Sequence, residues 1–83
     1  MTEQRIVYVL RSVAKPDRHY VGLTSDLDMR LQAHNSGASV HTRRDRPWEV
    51  VVSVEFPHTS SAVAFERYLK TGSGRAFAKR HFD

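Results

Sequence analysis

The chain has to stabilise a fold of 83 residues without a single cysteine. A domain this small buries only about 60% of the surface that its unfolded chain exposes, so its core provides little stability. Disulfide scaffolds, thiol catalysis and zinc modules with cysteine ligands are all excluded. The sequence therefore predicts a single domain over residues 1–83, held together by packing alone, with room for one site at most.

The composition is that of an ordinary globular domain. Hydrophobic residues make up 40% of the chain and charged residues 27%, which is typical of a folded protein rather than of a disordered tail. No segment approaches the ~18 consecutive apolar residues of a membrane span, and the amino-terminal stretch does not resemble a signal peptide. We therefore expect a soluble, cytoplasmic protein that contacts no membrane.

The charge balance favours a polyanionic partner without proving one. Thirteen Lys and Arg against nine Asp and Glu give a net charge of +4, which suits nucleic acid but equally suits a soluble basic protein. The basic residues are concentrated in a loop over residues 37–47 and in the carboxy-terminal part of the chain. The candidate nucleic-acid-binding residues in these two regions are Arg43, Arg44, Arg46, Lys70, Arg75 and Lys79.

Hydrophobic patterning predicts a hairpin at the start of the chain. Residues 5–12 are apolar on both alternating faces, which is typical of a central strand covered on both sides. Pro16-Asp17 supplies turn chemistry, and residues 19–23 again resemble a strand, so residues 5–23 form a predicted β-hairpin. Gly22 within the second strand indicates a bulge or a close backbone approach.

A third strand and three helices complete the predicted architecture. Residues 48–56 form the clearest strand, with Val50, Val52, Val54 and Phe56 expected on one face. The first predicted helix covers about 26–35 and stops at Gly37. The second covers 62–71, is capped by Thr59, Ser60 and Ser61, and ends at Gly72. The third covers 73–82. The order β-β-α-β-α-α predicts an α+β fold in which a three-stranded antiparallel sheet is flanked by helices.

Several polar residues admit both a structural and a chemical interpretation. Glu66 lies beside the apolar stripe of the second helix among basic residues, where it is either an ion-pair partner or a metal ligand. Arg30 and His34 lie one turn apart, where they can hold a phosphate and move a proton or can form a solvated face. Tyr8 and Tyr20 on the hairpin strands can equally be an ordinary cross-strand aromatic pair.

Two other features are assigned to structure. The five histidines show no spacing typical of zinc ligands, and single carboxylates do not suit a two-metal nuclease. Trp48 at the head of the third strand is expected in the core rather than as a platform for base stacking.

Taken in order, these residues resemble the GIY-YIG nuclease domain. The resemblance rests on Val7-Tyr8-Val9, Tyr20-Val21-Gly22, Arg30 and Glu66, and it covers nearly the whole chain. Connecting segments that also resemble the family are Thr24 to Leu27, His34 to Gly37, Thr42 to Arg44, Pro47-Trp48 and Leu69-Lys70. The first tripeptide departs from Gly-Ile-Tyr but keeps the tyrosine. The resemblance implies a small stand-alone nuclease domain of the bacterial type, similar to the amino-terminal domain of an excision-repair nuclease.

The resemblance also implies a role for each matching residue in phosphodiester hydrolysis. Tyr8 would orient or deprotonate water, with its phenol pKa lowered by a nearby cation, and Tyr20 would contact the phosphate or share in the proton transfer. Arg30 would bind the phosphate oxygens. His34 would carry a proton or contact the phosphate. Glu66 would hold one Mg²⁺ or Mn²⁺ ion that acts as a Lewis acid at the leaving oxygen.

The carboxy-terminal part departs from the family. Many members carry an asparagine about three helical turns beyond the glutamate, whereas here the only asparagine is Asn35. Either Lys79, Arg80 or His81 serves in its place or the role is absent, which leaves open a reduced activity or a different substrate. His41, before Thr42-Arg43, is a secondary active-site candidate by the same resemblance.

Two function classes follow from these observations. The first is a metal-dependent endonuclease that acts on DNA, structure-specific and related to repair. The alternative is a non-catalytic module of the same fold that binds nucleic acid or a protein partner. The basic loop could also dock on a larger protein that supplies specificity, and the oligomeric state is left open.

Overall fold

A computed structural model describes residues 3–82 of the chain. The elements follow the predicted order, with one short 3-10 helix added between α1 and β3. They are β1 (Ile6–Ser12), β2 (His19–Thr24), α1 (Leu27–Ser36), the 3-10 helix (Arg43–Asp45), β3 (Trp48–Glu55), α2 (Thr59–Leu69) and α3 (Gly72–Phe82). The α+β architecture predicted from the sequence is confirmed. None of the helices within residues 3–82 has the length and apolar character needed to cross a bilayer.

The sheet has β1 in its centre, as the two apolar faces of that strand predict. Its strand order is β2-β1-β3, and both pairings are antiparallel. Val7 and Val9 point to one face, where they form a core with Ala62 and Leu69 of α2. Tyr8 and Leu10 point to the other face, together with Trp48, and Leu27 and Leu31 of α1 pack on them. The sheet therefore separates two small cores, and Trp48 belongs to one of them as expected.

A β-bulge changes which residues of β3 face the core. The pairing with β1 shifts between Val9, opposite Val52, and Leu10, opposite Val50, so Val51 is the extra residue. Val51 and Val52 both pack against the core of Val7 and Val9, whereas Val50 is 37% exposed. The prediction that Val50 shares a face with Val52 is wrong, because an extra residue inverts the alternation beyond it.

The ends of α1 follow the predicted signals. The side chain of Asp26 accepts the Met29 N–H at 3.1 Å, as an N-cap does, and Gly37 adopts the left-handed conformation with φ of 86°. The start and the stop of this helix are thus both encoded locally, and they fix the helix that carries Arg30 and His34.

The ends of α2 and α3 differ from the prediction. Helix α2 begins at Thr59, and its N-cap position is His58, which makes no side-chain capping bond, so the predicted start at residue 62 is wrong. Helix α2 already ends at Leu69, and Gly72 opens α3 rather than terminating α2. Helix α3 begins at this point because Thr71 caps it: the Thr71 hydroxyl accepts the Gly74 N–H at 3.1 Å.

Candidate active site

The two motif tyrosines meet a buried histidine on the α1 side of the sheet. The ring centroids of Tyr8 and Tyr20 are 6.2 Å apart, and the His34 ring lies 5.9 Å from Tyr8 and 4.9 Å from Tyr20. Tyr8 is directly opposite Gly22 in the pairing of β1 with β2. A Cβ atom at Gly22 would overlap the Tyr8 hydroxyl, so the glycine makes room for the phenol ring. The predicted close approach at Gly22 is confirmed, and its cause is a side chain.

His34 is fully buried and uses both of its ring nitrogens. Nε2 lies 2.8 Å from the Tyr8 hydroxyl and Nδ1 lies 2.7 Å from Oγ1 of Thr42. Burial, followed by the positive charge of Arg30, lowers the pKa of His34 below its ordinary value. The imidazole is therefore neutral at pH 7 and carries one N–H, so it donates one of these two hydrogen bonds and accepts the other.

Arg30 lies at the mouth of the tyrosine cluster. The residue is solvent-exposed. Its guanidinium nevertheless has a raised pKa, mainly because of hydrogen bonding to Tyr8 and also because of its interaction with Tyr20. At the other end of this interaction, burial raises the pKa of the Tyr8 phenol above its ordinary value and outweighs the opposing hydrogen bond from Arg30. The expectation of a lowered phenol pKa is thus wrong: the cation is present, and desolvation of the buried ring is the larger effect.

Glu66 faces the same region from α2. Its side chain is 16% exposed, and Oε2 lies 2.6 Å from Nζ of Lys70, one turn later on the helix. Its negative charge is among the weaker influences that raise the pKa of Tyr8, so the carboxylate acts on that phenol only weakly. Of the two interpretations of Glu66, the ion pair is the one that the structure contains, and its partner is Lys70.

The donor set around Glu66 fits one kind of metal ion. Within residues 3–82, no three His, Asp or Glu side chains gather into a ready-made metal site. That pattern does not suit zinc or calcium, but Mg²⁺ is commonly held by one or two carboxylates and keeps its other positions for water and substrate phosphate. Lys70 shows that the Glu66 carboxylate is already presented to a cation. A single Mg²⁺ or Mn²⁺ ion is therefore compatible with this side chain.

Two residues that position the site could not be recognised in the sequence. Thr42 is 1% exposed and holds His34, and its backbone carbonyl accepts the Trp48 Nε1–H at 2.8 Å. The Asn35 side chain accepts the Trp48 backbone N–H at 2.6 Å and donates to the Trp48 carbonyl at 3.1 Å. A threonine in a basic loop carries no sign of burial, so only the resemblance of Thr42 to Arg44 to the family pointed to this segment.

The remaining candidates fall into two groups, one in the basic loop and one beside a groove. His41 is exposed and lines a shallow pocket with Arg43 and Arg44. Arg46 turns back to donate to the Arg43 carbonyl at 2.8 Å. By contrast, three basic candidates line a groove that also includes Tyr20. They are Lys70, Arg75 and Lys79.

The three residues that could serve in place of the family's asparagine lie in different surroundings on α3. Lys79 lines the same groove as Lys70, whereas Arg80 and His81 are exposed residues of α3. The His81 ring lies against Phe77, with centroids 4.7 Å apart. Of the three alternatives, Lys79 is the one that lines a surface shared with Tyr20.

The buried histidine makes a prediction about acid stability. Because the pKa of His34 is lowered in the folded protein, the unfolded chain binds a proton first as pH falls through about 6.5. The free energy of unfolding should therefore fall with decreasing pH below that value, at up to about 1.4 kcal/mol per pH unit for this group. Urea titrations at pH 7.0, 6.0 and 5.0 measure the slope.

The matched variants for this experiment are His34→Gln and His41→Gln. In His34→Gln the buried imidazole is absent, so the free energy of unfolding should depend less on pH between pH 7 and 5, although the variant is less stable at pH 7. Replacing the exposed His41 should leave the parental slope. An unchanged slope in His34→Gln would show that other groups cause the acid sensitivity.

The fold, with paired tyrosines on neighbouring strands, an arginine on α1 and a carboxylate on α2, defines the class to which this protein belongs. The chain is a member of the GIY-YIG family: the model of the GIY-YIG catalytic domain matches residues 4–80. The family predicted from the sequence is confirmed.

Several relatives are proteins named structure-specific endonuclease subunit SLX1. The protein of Candida dubliniensis is 39% identical over 84 residues, which covers 93% of this chain and 28% of that protein. The protein of Talaromyces marneffei is 43% identical over 65 residues, which covers 71% of this chain and 17% of that protein. The chain thus spans less than a third of the length of these relatives.

Proposed function

We propose that the protein is a metal-dependent endonuclease that hydrolyses phosphodiester bonds in DNA, with a preference for branched or flapped structures and a role in repair. The observation that carries the proposal is that Tyr8, Tyr20 and His34 meet on the α1 side of the sheet, with the Arg30 guanidinium acting on both tyrosines. Glu66 on α2 supports the proposal, because its negative charge acts on Tyr8. Membership of the GIY-YIG family and the name of the SLX1 relatives support it.

Arg30 is the residue suited to bind the scissile phosphate. Its guanidinium belongs to an exposed residue, interacts with Tyr8 and carries a fixed charge, so two of its N–H groups can reach two phosphate oxygens. Extra negative charge develops on those oxygens during hydrolysis, and a positioned cation stabilises it. Tyr20, on the edge strand beside Arg30, is placed to add a hydrogen bond to the same phosphate.

Tyr8, His34 and Thr42 form a hydrogen-bonded chain that can move one proton. With His34 accepting the Tyr8 O–H at Nε2, Tyr8 can take a proton from the attacking water while its own proton passes to His34. Nδ1 of His34 donates to Thr42 both before and after this transfer, so the imidazolium formed keeps that hydrogen bond. The raised pKa of Tyr8 keeps the phenol protonated at rest, so the relay starts from a neutral tyrosine and a neutral histidine.

Glu66 would hold the single Mg²⁺ or Mn²⁺ ion. When bound, the ion supplies Lewis-acid stabilisation of the leaving oxygen. The Glu66 carboxylate would pair with a cation both with and without the metal ion, since Lys70 is its partner when no ion is bound. Partial burial of the carboxylate limits competition from water.

The same ion pair is the observation that favours the second candidate function. If Lys70 stays on Glu66 when DNA binds, the protein is a non-catalytic module that holds nucleic acid with its basic residues. The two functions differ in one measurable property, because a binding module shows salt-sensitive affinity for DNA without turnover.

A metal titration of the purified protein tests the proposal. Labelled flap, branched, single-stranded and duplex DNA are incubated with EDTA, Mg²⁺ or Mn²⁺, and products are separated by size. We expect cleavage that requires the metal ion and is fastest on flapped or branched DNA. Binding at low salt with no product in either metal would contradict the endonuclease and support the binding module.

A further inference from the structure

An open groove lies beside the candidate active site, on the face of the sheet that α2 and α3 cover. Its volume is about 650 Å³, and its floor is apolar. The floor residues come from all three strands and from the end of α2: they are Val9, Val21, Val51 and Leu69. We call this the α3 groove. Because the floor is built from core side chains, its shape is fixed by the fold rather than by a mobile loop.

The rim of the α3 groove is basic on the helix side. Lys70, Arg75 and Lys79 line it, and Asp17 is the one acid among its lining residues. Arg75 and Lys79 lie one turn apart on α3, so their charges follow one edge of the groove. An apolar floor beside a row of cations is complementary to a ligand that carries flat apolar rings on an anionic backbone.

The α3 groove shares two residues with the candidate active site. Tyr20 belongs to both, since it lines the groove and lies 4.9 Å from the His34 ring between centroids. Lys70 also belongs to both, because it lines the groove and pairs with Glu66. Because the cluster and the groove lie on opposite faces of the sheet, a strand bound at Arg30 reaches the groove round the edge strand β2, past Tyr20.

We propose that the α3 groove binds an unpaired nucleotide of the DNA substrate, with its base on the apolar floor and its phosphates on Lys70, Arg75 and Lys79. This inference rests on the proposed function for the identity of the nucleic acid. A volume of about 650 Å³ is within the range of small-molecule sites and accepts one or two nucleotides. A base pair within a duplex cannot present its ring faces to the floor, so the groove selects DNA with a free strand next to the cut.

The first test changes the DNA and leaves the protein intact. Binding is measured by fluorescence anisotropy in EDTA, where no cleavage occurs, with a flap DNA and with the same DNA carrying abasic sites in the first nucleotides of the flap. Loss of the base contacts should weaken binding by about tenfold, because the apolar floor that a base would cover stays in contact with water. Equal affinity of the two substrates would show that the groove takes no base and would overturn the proposal.

The second test uses two neighbouring residues of α3 that differ in position but not in charge. Lys79 lines the groove, whereas Arg80 is exposed and does not line it. Lys79→Glu should lose affinity for flap DNA and keep affinity for fully paired duplex, while Arg80→Glu should leave the ratio of the two affinities as in the parent. Equal ratios in both variants would contradict the proposal.

A competition experiment separates the proposal from the other possible occupant. A peptide of alternating acidic and large apolar residues is added to the protein and flap DNA. If the peptide binds with higher affinity than the flap and displaces it, the groove is a protein-docking site and the proposal is overturned. Because these tests score binding in EDTA, they can fail while metal-dependent cleavage is still observed, or succeed when it is not.

Discussion

Glu66→Gln is expected to lower the rate of Mg²⁺-dependent DNA cleavage by about a thousandfold. An amide keeps the shape of the side chain but removes the negative charge that would hold the ion, and Lewis-acid stabilisation by a metal contributes several kcal/mol to such a reaction. The variant should stay folded, because glutamine has nearly the volume of glutamate, and an ion pair one helical turn apart with a half-exposed lysine contributes less than about 1 kcal/mol. Single-turnover rates on flap DNA measure the effect.

Glu55→Gln is the matched control for this experiment. Glu55 lies on β3, is 65% exposed at its side chain and pairs with Arg5 at 3.7 Å, so the same chemical change is made at an exposed ion pair on another element. Its cleavage rate should equal that of the parent. A Glu66→Gln protein that cuts as fast as Glu55→Gln would refute the assignment of Glu66 as the metal ligand.

Gly74→Ala is expected to destabilise the protein by about 3 kcal/mol, a large change in stability for a single added methyl group. Gly74 is buried where α3 meets the end of α2, and a Cβ atom there would overlap the backbone carbonyl of Tyr68. The obstacle is backbone, so it cannot rotate away, and the two helices would have to separate. For a domain of this size, such a loss lowers the melting temperature by more than about 10 °C.

Gly72→Ala, two residues earlier, is the control. A Cβ atom at Gly72 would meet no atom within 4 Å, so alanine there should be neutral or slightly stabilising through its helix propensity. Thermal unfolding followed by circular dichroism compares the two variants. If both glycines tolerate alanine equally, the packing of α2 against α3 is not as described.

The periodic signals of the sequence were sufficient for the order of elements. Apolar residues on both faces of residues 5–12 required a central strand, and the Asp26 and Gly37 signals marked α1 because both act within a few residues of the helix end. The errors have two causes. The bulge at Val51 depends on the register with β1, a distant contact, whereas the start of α3 depends on a local N-cap at Thr71 that the stop signal of Gly72 concealed.

The candidate site was predictable in its members but not in its chemistry. Motif spacing pointed to Tyr8, Tyr20, Arg30, His34 and Glu66. It could not show that His34 is completely buried between Tyr8 and Thr42, or that burial outweighs Arg30 at the Tyr8 phenol. Burial and hydrogen-bond partners are products of tertiary packing, and they set the protonation states on which the proposed proton relay depends.

A crystal structure of the protein with Mg²⁺ and a flap DNA that carries non-hydrolysable linkages beside the branch tests most directly that these residues form one phosphodiester-cleaving centre. We expect a phosphate within about 3 Å of the Arg30 guanidinium and an ion bound by Glu66, with Lys70 released to the DNA. The contradictory result is DNA held only by Arg43 and Arg44, with Glu66 still paired to Lys70 and no phosphate beside the tyrosines.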